Sequence, residues 1–150
     1  MQILQMPQRV QTRKFFSYIR SWNYEIHSRD FDSCHMGTTL YLFCLYHRLS
    51  DAQADMIRCV MQELLLHLLM PACKAEQDPN IHLTLRCDTD IYLQIEYTGL
   101  KTDPLQILEQ EETENPSIIL LSQYIINMDL DGEGHKAAFF LQAQKKGSTL

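Results

Sequence analysis

Two short segments near the middle of the chain constrain its fold most. In Asn80–Cys87, Ile81, Leu83 and Leu85 alternate with His82, Thr84 and Arg86; in Ile91–Tyr97, Ile91, Leu93 and Ile95 alternate with Tyr92, Gln94 and Glu96. A period of two sends every second side chain to one face, so each segment reads as a strand with one apolar and one wetter face. Asp88-Thr89-Asp90 between them supplies turn residues, and the pair reads as a hairpin. A lone hairpin is marginal in water. The rest of the chain must add strands and a layer of helices over the apolar face.

The covering elements are visible on both sides. Ser50-Asp51-Ala52-Gln53 has the spacing of a capping box, in which a hydroxyl and a Gln side chain satisfy orphan helix amides. Met56, Ile57, Val60, Leu64, Leu68 and Met70 then give a helix from Ser50 to Ala75 a buried face, with Pro71 in its last turn or at a kink. Upstream, Thr38–His47 is apolar almost throughout and is assigned to a helix, preceded by a turn over Asp30–Gly37. From Arg9 to Arg29, Phe15, Tyr18, Ile19, Trp22 and Ile26 recur at three- and four-residue steps, the stripe of an amphipathic helix. Gln2–Met6 reads as a short strand stopped by Pro7. Downstream, Leu100–Pro116 is an acidic loop, and Ser117–Met128 has Ile118, Leu121, Tyr124, Ile125 and Met128 on helical spacing with Ser117 as cap. Asp131-Gly132-Glu133-Gly134 turns into a last strand, Lys136–Ala143. The expected core is Leu64, Leu68, Ile81, Leu83, Leu93, Ile95, Ile125 and Phe140.

Together these give one α/β domain over residues 1–150, with a mixed, mostly antiparallel sheet of four or five strands layered against helices. Residues 1–49 form a helical N-terminal part, 50–143 the core and 144–150 a tail. Composition narrows the function. Residues 1–48 carry six Lys/Arg against three Asp/Glu, and residues 49–116 carry four against thirteen, within a net charge of −6. The acidic middle disfavours nucleic acid, whose phosphates need clustered Lys and Arg. The longest apolar run, Leu64–Ala72, is too short to span a bilayer, and no basic start leads into an apolar leader. Cys34, Cys44, Cys59, Cys73 and Cys87 are an odd number with no CxxC, which suits free thiols in a reducing cytoplasm.

One stretch carries a chemical hint. Glu63-Leu-Leu-Leu-His67 lies in the helix before the hairpin, and Tyr97-Thr98-Gly99 closes the second strand. Helix, hairpin, acidic loop, helix, Gly turn and final strand resemble the nucleotide-binding domain of the GHKL ATPases, the family of gyrase and the histidine kinases that also includes anti-sigma-factor kinases. The resemblance covers about residues 50–143. In the family the helix bears Glu-x-x-x-Asn and the second strand ends in Asp-x-Gly. It implies that Glu63 stands where a Glu activates water or orients the metal shell. His67 stands where an Asn gives Mg²⁺ an amide oxygen, and imidazole nitrogen is a poor ligand for that hard ion. Tyr97 stands where an Asp accepts the adenine amino proton, with Gly99 after it. The stretch Leu100–Pro116, in the position of the phosphate-cradling lid, has no glycine and carries Glu109, Glu111, Glu112 and Glu114.

The resemblance therefore implies a degenerate site that binds no nucleotide, metal or other cofactor and catalyses nothing. The expected function is that of a cytoplasmic, bacterial-type signalling adaptor or regulator. Its expected partner is a kinase, a response regulator or a sigma-pathway component. The expected contact residues are Arg13, Phe15, Tyr18, Arg20 and Trp22 on the first helix, and Glu109, Glu111, Glu112 and Glu114 in the loop. A homodimer through the aromatic stripe is a second expectation. The alternatives are a nucleotide-binding kinase or ATPase with an atypical site, and a histidine phosphotransfer protein using His47. A zinc site built on Glu63 and His67, one helical turn apart, needs further ligands.

Overall fold

The computed structural model of the chain describes residues 20–73, 78–98, 105, 108, 114–130 and 136–143. The hairpin forms as its alternation requires. Strands β2 (Asn80–Cys87) and β3 (Ile91–Thr98) pair antiparallel, with Leu83 opposite Ile95 and Leu85 opposite Leu93. Strand β1 (Trp22–Ile26) lies on the outer edge of β2, while β5 (Lys136–Leu141) lies against β3 and β4 (Ile125–Leu130) forms the far edge. The order β1-β2-β3-β5-β4 is antiparallel throughout.

β1 corrects the expectation of one helix over Arg9–Arg29. Trp22, Tyr24 and Ile26 also alternate, and in the strand Trp22 and Ile26 are completely buried. Pairing with β2 satisfies backbone groups and buries an indole at once, which outweighs helical spacing.

The helical layer follows its caps. Helix α1 (Ser33–Tyr46) starts inside the stretch expected to be a turn, because Asp32 Oδ1 accepts from the His35 amide at 2.9 Å and Gly37 is carried within the helix. It ends in a reversal at Arg48, whose φ of 54° is left-handed. The Arg48 amide reaches Leu45 O at 3.0 Å and the Leu49 amide reaches Cys44 O at 3.1 Å, the paired bonds of a Schellman ending made without glycine. Helix α2 (Asp51–Gln62) opens on the expected capping box. Gln53 N donates to Ser50 Oγ at 3.1 Å, and Ser50 N donates to Gln53 Oε1 at 2.9 Å. The helix then widens into a π-helical stretch, Glu63–Leu69, closed by the Met70 amide on Leu65 O five residues back. The wider turn sends Leu64, Leu65, Leu68 and Leu69 all inward.

Helix α3 (Pro116–Tyr124) is capped by Asn115, whose Oδ1 accepts from the Ser117 amide at 2.9 Å, with Pro116 at the first position. Ser117 is therefore not the cap. The helix also stops at Tyr124, and Ile125–Leu130 is strand β4 rather than more helix. The isoleucine pair suits a pleated strand, and β5 offers it a free edge. A bulge at Ile126 absorbs the change in direction between α3 and β4.

All three helices cover one face of the sheet. Leu40, Phe43, Met56, Ile57, Val60 and the four leucines meet Trp22, Leu83, Leu85, Leu93, Ile95 and Phe139 in a single buried cluster. Every expected core residue lies there except Phe140. Its neighbour Phe139 is buried instead, while Phe140 is half-buried and its ring meets Tyr92 at 5.3 Å between centroids. The other sheet face is polar. Glu25, His82, Glu96 and Lys136 stand in one row across four strands, with His82 to Glu25 at 4.0 Å and Lys136 to Glu96 at 3.9 Å. The molecule is thus the expected two-layer α/β arrangement.

Candidate functional site

The positions to which the resemblance assigns nucleotide chemistry sit on two different elements. Glu63 opens the π-helical stretch and is half-buried, while His67, one turn on, is exposed. Tyr97 lies on β3 opposite Ile81, with its side chain in the core and only 2% exposed. A phenol held there fills space and offers no carboxylate. Gly99 lies outside the described residues. Among the described residues no group of three His, Cys, Asp or Glu side chains is placed to hold a metal ion. Glu63 and His67 have no third ligand there, and two ligands do not make a zinc site.

The expected interface on the N-terminal segment is corrected at its central residue. Trp22 is completely buried. Its Nε1–H donates to Thr39 Oγ1 at 3.0 Å, and the Thr39 hydroxyl in turn donates to Met36 O at 2.9 Å. The Tyr24 ring stacks on the indole at 5.6 Å. An indole with its one donor satisfied inside the core presents nothing to a partner. Arg20 and Glu114 are exposed; Arg13, Phe15, Tyr18, Glu109, Glu111 and Glu112 lie outside the described residues. His47, the phosphotransfer candidate, is half-buried at the end of α1. Its ring packs on Phe43 at 4.3 Å and on Tyr46 at 5.4 Å, so the imidazole is held among aromatics rather than displayed.

A surface that sequence reasoning did not single out is the outer face of α1. Tyr41, Leu42, Leu45 and Tyr46 are 59%, 57%, 54% and 47% exposed and fall on one side of the helix, opposite the buried Leu40, Phe43 and Cys44. Beside it, a groove of about 290 Å³ runs between α1 and α2, lined by Gly37, Tyr41, Cys44, Asp51, Asp55 and Arg58. The signal was present in the uniformly apolar run Thr38–His47. A helix apolar all round that packs on one sheet must turn one apolar side outward.

The five cysteines are free thiols, with Cys44, Cys73 and Cys87 buried and Cys34 exposed. Burial pushes the Cys44 thiol up to about 11. Burial, with Cys44 and Asp88 nearby, pushes Cys87 up to about 12. Burial also raises Cys73. A thiol held protonated is a weak nucleophile, so these three serve packing rather than covalent chemistry.

No family model matches the chain, and no curated protein matches it. Among the described residues no helix is long and apolar enough to cross a membrane.

Proposed function

We propose that this chain is a non-catalytic adaptor or regulator of a bacterial-type signalling pathway, a degenerate relative of the GHKL ATPase domain that works in the cytoplasm by binding another protein. The observation that carries the proposal is the outer face of α1, where Tyr41, Leu42 and Leu45 hold apolar surface in water. Grouped exposure of this kind marks binding surfaces, and aromatic anchors concentrate interface energy. Two further facts support the reading. A helix, a hairpin and a second helix follow one another over residues 51–124, the run of elements from which the resemblance is read. The position at which the family needs an adenine-binding carboxylate holds a phenol sunk in the core. A fold kept without its chemistry still offers a rigid surface.

The partner class is a kinase, a response regulator or a sigma-pathway component. The test is capture of such a protein on the immobilised chain, compared with Leu42→Asp/Leu45→Asp. Both positions are exposed, so the variant keeps the core. Losing two apolar contacts at an interface centre lowers affinity by about a hundredfold. Capture that is equal for both chains contradicts the assignment of the surface.

A further inference from the structure

The exposed side of α1 is a continuous stripe. At about 100° per residue, Cys34, Thr38, Tyr41 and Leu45 fall within roughly 60° of one another, and all four are exposed, with Leu42 beside them. Steps of four, three and four residues make the kind of seam along which two helices pack. Three features of the stripe fit a second copy of this chain. The first is size. The small Cys34 and Thr38 occupy its N-terminal half, and the large Tyr41 and Leu45 its C-terminal half. A second copy turned end for end sets Cys34 opposite Leu45 and Thr38 opposite Tyr41, and the two-fold axis repeats both pairs. Each layer then holds one small and one large side chain, whereas a parallel copy sets Tyr41 on Tyr41 and Thr38 on Thr38.

The second feature is the absence of charge. Helix α1 contains no Lys, Arg, Asp or Glu, so neither copy buries an ion along the seam. The third is the charge just beyond its ends. Exposed Asp30 and Asp32 precede the helix, and exposed Arg48 follows it. The register that matches sizes also sets Arg48 of one copy level with Phe31 of the other, between the two aspartates. Antiparallel helices further place their dipoles head to tail. We infer that free chains pair through α1 as an antiparallel two-fold dimer in this register. One pair of helices about 21 Å long covers less than the roughly 1,200 Å² of a standard interface, so the dimer is weak and reversible. The inference does not rest on the partner reading. It gives the same face its occupant when no partner is present, and a protein that docks on α1 displaces the second copy.

Sedimentation equilibrium of the full chain without partner, over about 1–500 µM, tests it in the range expected of a weak interface. The mass should rise from one chain to two and no further. Leu45→Asp sets a carboxylate against Cys34 twice in each dimer. It should weaken pairing by about a hundredfold or more, with an unchanged far-ultraviolet circular dichroism spectrum because Leu45 is exposed. Arg48 has left-handed backbone, which Asp tolerates. Arg48→Asp should weaken the dimer by about fivefold, the worth of surface ion pairs. Arg48→Asp/Asp30→Arg should restore it. A chain that stays monomeric throughout, assembly beyond two chains, a dimer indifferent to Leu45→Asp, or a double variant no tighter than Arg48→Asp overturns the inference. A monomer that still captures its partner sinks this inference alone; a dimer that behaves as described but captures nothing supports it while the partner reading falls.

Discussion

Trp22 shows how one side chain sets the role of a segment. Its ring lies in the core at the start of an edge strand, and its single donor is spent on Thr39. Trp22→Ala therefore empties a large site that the rigid sheet cannot close, and should cost about 3–5 kcal/mol in denaturant titration. The sequence carried two patterns here. Phe15, Ile19, Trp22 and Ile26 keep helical steps, and Trp22, Tyr24 and Ile26 keep strand steps; only the open edge of β2 decides between them, and an edge is a property of the assembled sheet. The buried thiols make a second residue-scale prediction. Cys44 and Cys87 hold their protons to about 11 and about 12 in the folded chain, above their ordinary 9.0. Above pH 9 the unfolded chain binds fewer protons than the folded one, so stability falls as pH rises. The contribution is complete below pH 9 and is lost as pH climbs through 11 to 12. Denaturation midpoints measured across that window should decline, and Cys87→Ala should flatten the decline.

At the scale of elements, ends were legible where capping chemistry was explicit. Ser50 and Gln53 marked the start of α2, and alternation marked β2 and β3 almost to the residue. Ends were misread where a local signal had two uses. Gly37 suggested a turn but sits inside α1, and Asn115-Pro116 read as a loop end although Asn115 is a cap and Pro116 the first helical residue. Phe139 and Phe140 are adjacent and both aromatic, so parity in β5 could be assigned only from its pairing with β3. Gly37 also gives a test. A methyl group built there meets nothing within 4 Å, so alanine adds helix propensity without a clash. Gly37→Ala should raise stability by about 0.8–1 kcal/mol, read as a higher thermal midpoint. A drop would mean that the groove beside α1 has no room for a methyl group.

At the scale of the whole molecule, the division of labour is between two sheet faces and one outward helix. The inner face is closed by α1, α2, the π-helical leucines and α3; the outer face is a polar ladder with Glu25, His82, Glu96 and Lys136 in line. The two-layer plan was legible because one strand pair with clean alternation demands a covering layer. The exposed apolar face of α1 was less so, since a run of apolar residues does not say which of its sides the rest of the chain will leave in water. The claim proposed at this scale is that the chain binds no nucleotide: Tyr97, at the position the resemblance assigns to the adenine carboxylate, is a phenol in the core, and His67 stands where the family has a hard oxygen ligand for Mg²⁺. Isothermal titration of the full chain with ATP and with ADP, each with Mg²⁺, tests that claim most directly. The account predicts no heat of binding beyond dilution. A dissociation constant in the micromolar range, about −8 kcal/mol of binding free energy, would contradict it.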